Sequence, residues 1–340
     1  MASTRTRPTV LVRSRPSSET RHFSRGMVLV LSGVFCLSYA GELLADASCA
    51  PGDLWVDPAI EMRFRYAPGI VTSEGKDLVD PLWVGETEVT HGQWERIIGN
   101  RPWYFQRCGD DCPVELINWY EALAFANSLS ERAGFTKCYR LLSCNGVPGE
   151  VGLPAREHGM VCEITELVGE SCTGYRLPTN AEWEHFARAG TTTDVYSGDI
   201  QIQKPLTSCG GPNLDRIAWY ACTSSPSPFS TLKREALEEE ETRSRHGQGW
   251  TFFSDGSTRP GSLKAPNAWK LYDTVGNVSE WVWDCKDAAC LQRLAKGCSW
   301  SSSATYCRIA SSFGTPADLS MYDTIGFRLV RTAEAECASR

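Results

Sequence analysis

The sequence predicts an α+β fold with little regular secondary structure, and three observations lead to this prediction. The 340 residues include 29 glycines and 12 tryptophans, a composition typical of a turn-rich chain anchored by large aromatic side chains. Some segments begin with a capping box, which predicts a helix, and other segments alternate apolar and polar residues, which predicts a strand. The 15 cysteines indicate that disulfides support much of the irregular structure.

The first 47 residues form a separate segment that we interpret as a signal peptide. Six arginines precede an apolar run over residues 27–40, and Ala45-Asp46-Ala47 has the small-x-small form of a cleavage site. The apolar run is short for a membrane-spanning helix, so we expect membrane contact only if this segment stays uncleaved. The protein is therefore expected to be secreted, or to lie in a bacterial cell envelope or periplasm.

Cysteine usage predicts the same oxidising compartment. Removal of Cys36 with the leader leaves an even number of cysteines, as expected if they pair in disulfides. The sequence has no pair of C-x-x-C motifs that would indicate a metal site made of thiolates. The pattern leaves the pairing open. The disulfide candidates are Cys108, Cys112, Cys138, Cys144, Cys162, Cys172, Cys209, Cys222, Cys285, Cys290, Cys298 and Cys307.

The strands and helices of the first half can be placed from local signals. Residues 48–80 are expected to be an extended lead-in with a short strand over 62–66, and residues 82–89 alternate as a strand does. Capping boxes then predict three helices, which begin after Thr90, Asn118 and Thr179. Glycines that follow predict that these helices end near residues 99, 133 and 189.

The main domain is predicted to span residues 81–334 and to carry two inserts. The first insert, about 138–172, is rich in cysteine, so we expect disulfides to take the place of a core there. The second, about 223–262, is a long loop with an acidic run at Glu235 and residues 238–241. A loop of this length is usually functional or disordered.

The stretch Leu-Tyr-Asp-Thr-Val-Gly-Asn-Val-Ser-Glu-Trp-Val-Trp, residues 271–283, predicts a rigid corner rich in oxygen ligands. Asp273 and Glu280 bracket the pair Gly276-Asn277, which favours positive φ and a reversal of the chain. Carboxylates and turn carbonyls can thereby converge in the way that calcium prefers. A structural turn closed by hydrogen bonds from side chains to the backbone is the alternative.

Several motifs together resemble the formylglycine-generating enzyme or sulfatase-modifying-factor family. The resemblance covers nearly the whole chain after the leader and implies an irregular fold related to C-type lectins. The matching motifs, in order, are GETEVTHGQW (85–94), CPVELINW (112–119), GYRLPTNAEWE (174–184), PNAWKLYD (266–273), GNVSEW (276–281), GCSW (297–300) and GFR (326–328).

The resemblance also implies a structural calcium ion at the predicted corner. Carried over by motif, Asp273 and Glu280 would supply carboxylates, and Gly276 and Val278 would supply backbone carbonyls. All four positions match the family pattern.

The copper(I) site of the oxidases in this family is not matched. Those enzymes carry two cysteines five residues apart. Counted from the GCSW turn, the first would fall at about Ser302, and counted back from Arg308, the second would fall at about Ala304. Because copper(I) needs soft thiolates, a copper cofactor is not expected. Cys298 and Cys307 flank the gap, and we expect a disulfide between them or with Cys285 or Cys290. Ser312 also stands where the oxidases carry an arginine.

These substitutions predict a degenerate pocket around Ser299, Trp300, Ser302, Ala304 and Arg308. The net charge of −7 argues against nucleic acid as a partner, and the five histidines show no ligand spacing. The leading hypothesis is a secreted member of the family, a pseudoenzyme without the copper pair, that binds or assists an exported protein or peptide. The alternatives are an oxidase with other ligands and a lectin-like recognition module that uses the acidic loop and the insert after Cys138.

Overall fold

The computed structural model describes residues 49–71, 77–150, 159–169, 172–202, 209–224, 256–318 and 322–333, all of which fall in the compact unit Asp46–Arg340. The predicted signal peptide and the acidic run lie outside these residues. The helices are α1 His91–Ile98, α2 Trp119–Arg132, α3 Asn180–Arg188 and α4 Gly211–Asp215. The strands are β1 Leu54–Val56, β2 Arg63–Ala67, β3 Ile70–Val71, β4 Asp77–Val79, β5 Leu82–Gly85, β6 Tyr139–Asn145, β7 Val161–Leu167, β8 Ser279–Cys285, β9 Gln292–Lys296, β10 Ser312–Pro316, β11 Ile325–Phe327 and β12 Val330–Thr332.

The strands confirm the α+β prediction and form two four-stranded sheets and two two-stranded sheets, β3-β4 and β6-β7. The first has the order β1-β2-β5-β12 and is antiparallel throughout. The second has the order β10-β9-β8-β11, in which β11 runs parallel to β8. Residues that the sequence places in a lead-in therefore contribute β1 and β2 to the sheet that also holds β5.

The predicted strand over residues 82–89 is wrong in its length, because β5 ends at Gly85. The Glu86 amide still donates to Arg63 O of β2 at 2.9 Å, and after it the chain leaves the sheet. The Glu86 carbonyl accepts a hydrogen bond from the Tyr272 amide at 2.9 Å, and the Val89 amide donates to Phe327 O at 2.9 Å. The chain is thereby directed into α1.

All three predicted capping boxes are present. At α1, the Gln93 amide donates to Thr90 Oγ1 at 3.3 Å and the Thr90 amide donates to Gln93 Oε1 at 3.0 Å. The helices after Asn118 and Thr179 are capped in the same reciprocal way. Reciprocal caps satisfy backbone amides that would otherwise be unpaired, which is why these helix starts could be read from local sequence.

Strand β8 separates two hydrophobic cores. Successive side chains of a strand point to opposite faces, so Trp281 packs into one core with α2, whereas Val282 packs into the other with α3. The Trp119 indole donates to Val282 O at 2.9 Å and ties α2 to this strand. The second sheet is therefore held from both sides.

Six disulfides are formed among the residues that the structure describes, and they join all twelve predicted candidates. In the first insert, Cys144–Cys162 links the paired strands β6 and β7, and Cys138–Cys172 closes the base of this hairpin. The remaining pairs are Cys108–Cys112, Cys209–Cys222, Cys285–Cys290 and Cys298–Cys307. Such a density indicates a compartment outside the reducing cytoplasm. No helix in the described ranges is both long and apolar enough to cross a membrane.

A buried histidine at the start of α1 predicts sensitivity to acid. His91 is 1% exposed, and its ring lies parallel to that of Trp103 with 4.1 Å between centroids. Burial lowers the pKa of His91 to about 4, so the folded protein holds the neutral ring. A lowered pKa contributes stability that is complete above the unfolded-state pKa of about 6.5 and is lost as the pH falls toward 4.

We therefore expect the wild type to lose about 3 kcal/mol of unfolding free energy through this residue between pH 6.5 and 4. Urea unfolding at a series of pH values measures the loss. His91→Phe keeps an aromatic ring beside Trp103 but does not titrate, and its stability curve should be flatter over this range. Parallel curves for the two proteins would contradict the prediction.

Candidate functional site

The corner at residues 271–283 is built around three left-handed backbone conformations. Asp273, Gly276 and Asn277 have φ values of 52°, 90° and 60°. The Asn277 amide donates to Trp219 O at 2.7 Å, and the Asn277 carbonyl accepts from the Trp300 amide at 2.7 Å. The Asn277 side chain exchanges two further hydrogen bonds with the Arg259 backbone, at 3.0 and 3.1 Å. The corner thereby fixes the turn that follows Gly297.

The Glu280 carboxylate is buried and ion-paired with Arg328. Arg328 Nη2 lies 2.7 Å and Nε 3.0 Å from Glu280 Oε1, and both residues are at most 1% exposed. The Trp183 indole donates to Glu280 Oε2 at 2.6 Å. The guanidinium also donates to the carbonyls of Gly85 and Tyr272, both at 2.8 Å. This arginine therefore joins β5, β8 and the corner.

Two further carboxylates lie buried near this pair. Asp273 Oδ2 accepts from the Ser262 amide at 2.9 Å, whereas Asp273 Oδ1 and Glu88 Oε1 are buried without a hydrogen-bond partner. Burial raises the pKa of Asp273 to about 6. Burial, and next repulsion from Asp273, raises the pKa of the Glu88 carboxyl well above its ordinary value. The cluster thus has more carboxyl groups than the single arginine can pair.

The predicted calcium ligands fit this geometry unequally. Asp273 has a carboxylate oxygen with no partner, which could bind a cation. Both oxygens of Glu280 already accept hydrogen bonds, so a cation bound through them would have to displace Arg328. In the described parts of the chain, no three acidic, histidine or cysteine side chains converge as a metal site. Calcium binding through Asp273, Gly276, Val278 and Glu280 stays a prediction.

The loop that corresponds to the copper site is closed by a disulfide. Cys298 and Cys307 are bonded, with 4.8 Å between their Cα atoms, and both are at most 1% exposed. The sequence left Cys285 and Cys290 open as alternative partners, and the structure shows that Cys298 and Cys307 are bonded to each other. Between them, Ser302 Oγ accepts from the Ser299 amide at 3.0 Å and lies 3.0 Å from Ser299 Oγ. Ala304 is buried and begins a short 3-10 helix, Ala304–Tyr306.

The residues of the predicted pocket do not all face one space. Ser299 and Ser302 line a cavity of about 80 Å³, whereas Trp300, Ala304 and Arg308 do not. The Trp300 indole instead donates to Asp323 O at 2.8 Å. Arg308 pairs with Asp194 at 3.0 Å.

The cavity is also lined by residues outside the predicted pocket. They come from the edge strand β10, from the start of β11 and from the 3-10 helix. Ser312, which replaces the arginine of the oxidases, is one of them. Thr315, on the same strand, is 5% exposed, and its hydroxyl has no hydrogen-bond partner. Of these additional lining residues, only Ser312 could be identified from the sequence, because it replaces the arginine of the oxidases. The others are brought to the cavity by the pairing of distant strands.

Comparisons with known proteins agree with this fold. The family model described as the sulfatase-modifying factor enzyme 1-like domain matches residues 13–333. Chaperone protein LppX of Paenibacillus barcinonensis is 27% identical over 234 residues, which cover 67% of this chain and 72% of that protein.

Two solved structures are similar at the level of the fold. Treponema denticola variable protein 1 superposes with a TM-score of 0.56 at 23% identity and covers 83% of this chain and 99% of its own. PvdO from Pseudomonas aeruginosa gives a TM-score of 0.51 at 16% identity, with 84% of this chain and 100% of its own covered.

Proposed function

This chain belongs to the sulfatase-modifying factor enzyme 1-like family, and we propose that it is an exported binding protein without copper oxidase chemistry. One observation carries the proposal. The two positions that would hold copper(I) are Ser302 and Ala304, and the nearest sulfurs, on Cys298 and Cys307, are bonded to each other inside the protein. Copper(I) is bound by thiolates, and a buried disulfide offers none.

A role as an accessory to another exported protein has support from one relative. The similar protein of Paenibacillus barcinonensis is named a chaperone, which is a binding function. The cavity beside Ser299 and Ser302 gives the present chain a place for a ligand that does not require a metal. We therefore propose binding, rather than oxidation, as the activity of this pocket.

The decisive experiment measures oxygen consumption. The purified, oxidised protein is supplied with copper(I) and a cysteine-containing peptide of the sulfatase type, and we expect no consumption above that of the Cys298→Ser, Cys307→Ser double variant. Turnover that this double variant abolishes would establish the alternative, an oxidase that uses other ligands. Mass mapping provides a second measurement, in which Cys298 and Cys307 should be recovered in one disulfide-linked peptide.

Calcium at the corner is a separate proposal, supported by the buried Asp273 oxygen that lacks a partner. Chelation is expected to lower the melting temperature by about 5 °C, because a ligand that binds only the folded state stabilises it. Asp273→Asn should remove most of this response. A melting temperature that is the same with and without chelator would contradict calcium binding.

A further inference from the structure

The cavity beside Ser299 has a lining with a distinctive chemistry. Most of its side chains carry hydroxyl groups, and none of the described residues that line it is charged. They include Ser279, Ser299, Ser302, Ser312, Thr315 and Thr324. Each serine or threonine hydroxyl can both donate and accept a hydrogen bond. The lining also has apolar surface, to which Phe313 and Ile325 contribute, so it suits a neutral ligand that combines apolar faces with groups that both donate and accept hydrogen bonds.

The hydroxyl of Thr315 is available to form a hydrogen bond with a polar group of a ligand in the cavity. Thr315 lines the cavity and is 5% exposed, yet its Oγ1 has no hydrogen-bond partner in the protein. Leaving a buried hydroxyl unpaired costs about 1–3 kcal/mol, so a ligand that pairs with it recovers that energy.

Aromatic rings lie in the cavity lining and near it. Tyr306 lines it and is 39% exposed. A second group runs outward from Trp300, the neighbour of Ser299: Phe105 contacts Trp300 with 5.3 Å between ring centroids, and Tyr104 contacts Phe105 at 5.2 Å. Tyr104 is 57% exposed. Exposed rings of this kind offer apolar faces beside the hydroxyl groups of the lining.

We propose that this site binds a neutral saccharide. The cavity of about 80 Å³ has room for a group the size of two or three water molecules, which fits an exocyclic hydroxymethyl or acetamido group. The sugar ring then packs its C–H face on Tyr306, and the inserted group bonds to Thr315. An anionic sugar would find no cationic side chain among the described lining residues. This inference rests on the proposed binding function of the same pocket and specifies its ligand.

The test uses the full disulfide-bonded protein with immobilised glycans. The panel contains neutral oligomers of glucose, mannose, galactose and N-acetylglucosamine beside sialylated and sulfated glycans, and the best ligand is then titrated in calorimetry. We expect saturable binding of a neutral glycan, weakened about 10-fold in Thr315→Val, which loses one buried hydrogen bond. Tyr306→Ala, at a partly exposed position, should weaken binding at least as much.

The matched control is Thr274→Val. Thr274 is also buried with an unpaired hydroxyl but does not line the cavity, so this variant should bind like the wild type. Binding that Thr315→Val and Tyr306→Ala leave unchanged, or binding of acidic glycans alone, would overturn the inference. So would binding of an unfolded polypeptide, such as reduced and alkylated casein, without any neutral glycan. Copper-dependent oxygen consumption would refute the proposed function itself, which separates the two failures.

Discussion

Replacing Arg328 by methionine is expected to lower the unfolding free energy by about 3–5 kcal/mol, the cost of leaving a buried carboxylate without its partner. The guanidinium holds Glu280 through bonds of 2.7 and 3.0 Å, and neither residue is more than 1% exposed. Without it, Glu280 would face Asp273 and Glu88 with no compensating charge. Urea unfolding at pH 7, followed by tryptophan fluorescence, measures the effect.

The same substitution at Arg308 provides the control. Arg308 pairs with Asp194 at a similar distance, 3.0 Å, but the two side chains are 39% and 29% exposed. An exposed ion pair contributes about 0–1 kcal/mol, so Arg308→Met should be nearly neutral. Equal losses in the two variants would show that burial does not set the strength of the Glu280–Arg328 pair. Adding Glu280→Leu to Arg328→Met should restore part of the lost stability, since no unpaired charge then remains.

The second large effect is expected for Gly276→Ala, which should cost about 3 kcal/mol through backbone strain and overpacking together. Gly276 has φ +90°, and a Cβ placed there would lie 2.6 Å from the Trp219 carbonyl oxygen. The neighbouring bond from the Asn277 amide to that same carbonyl would have to stretch. Denaturant unfolding of the purified variant measures the loss.

Gly99→Ala separates the two causes. Gly99 has nearly the same conformation, φ +93°, but a Cβ there meets nothing within 4 Å. This variant should therefore show only the conformational cost, about 1–2 kcal/mol. Equal destabilisation by Gly276→Ala and Gly99→Ala would show that the contact between the added Cβ and the Trp219 carbonyl does not lower stability.

Features encoded by neighbouring residues could be predicted from the sequence. The capping boxes gave the starts of α1, α2 and α3, and Gly99 gave the end of α1, because each signal lies within one helical turn of the structure it determines. The positive φ at Gly276 and Asn277 could be expected from residue type. The overall fold could be predicted from the resemblance of several motifs to those of one family.

Features made by distant residues could not be predicted in this way. Arg328 lies 48 residues from Glu280, and only the parallel pairing of β11 with β8 brings them together. Thr315 reaches the cavity through its place on the edge strand β10. The disulfide pairing also depends on tertiary contacts, because 12 candidate cysteines allow very many combinations.

Because of the Cys298–Cys307 disulfide, side chains in the loop over residues 298–307 can change during evolution without loss of the loop's anchoring. The bond holds both ends of the loop against the inner core, and the Trp300 amide is held by the Asn277 carbonyl at 2.7 Å. Since these anchors are a covalent bond and a backbone contact, neither depends on the side chains of Ser299, Ser301 or Ser302. Substitutions at Ser299 and Ser302, which line the cavity, can therefore change the chemistry of its wall while the scaffold is kept, so that relatives with the same framework can differ at this cavity.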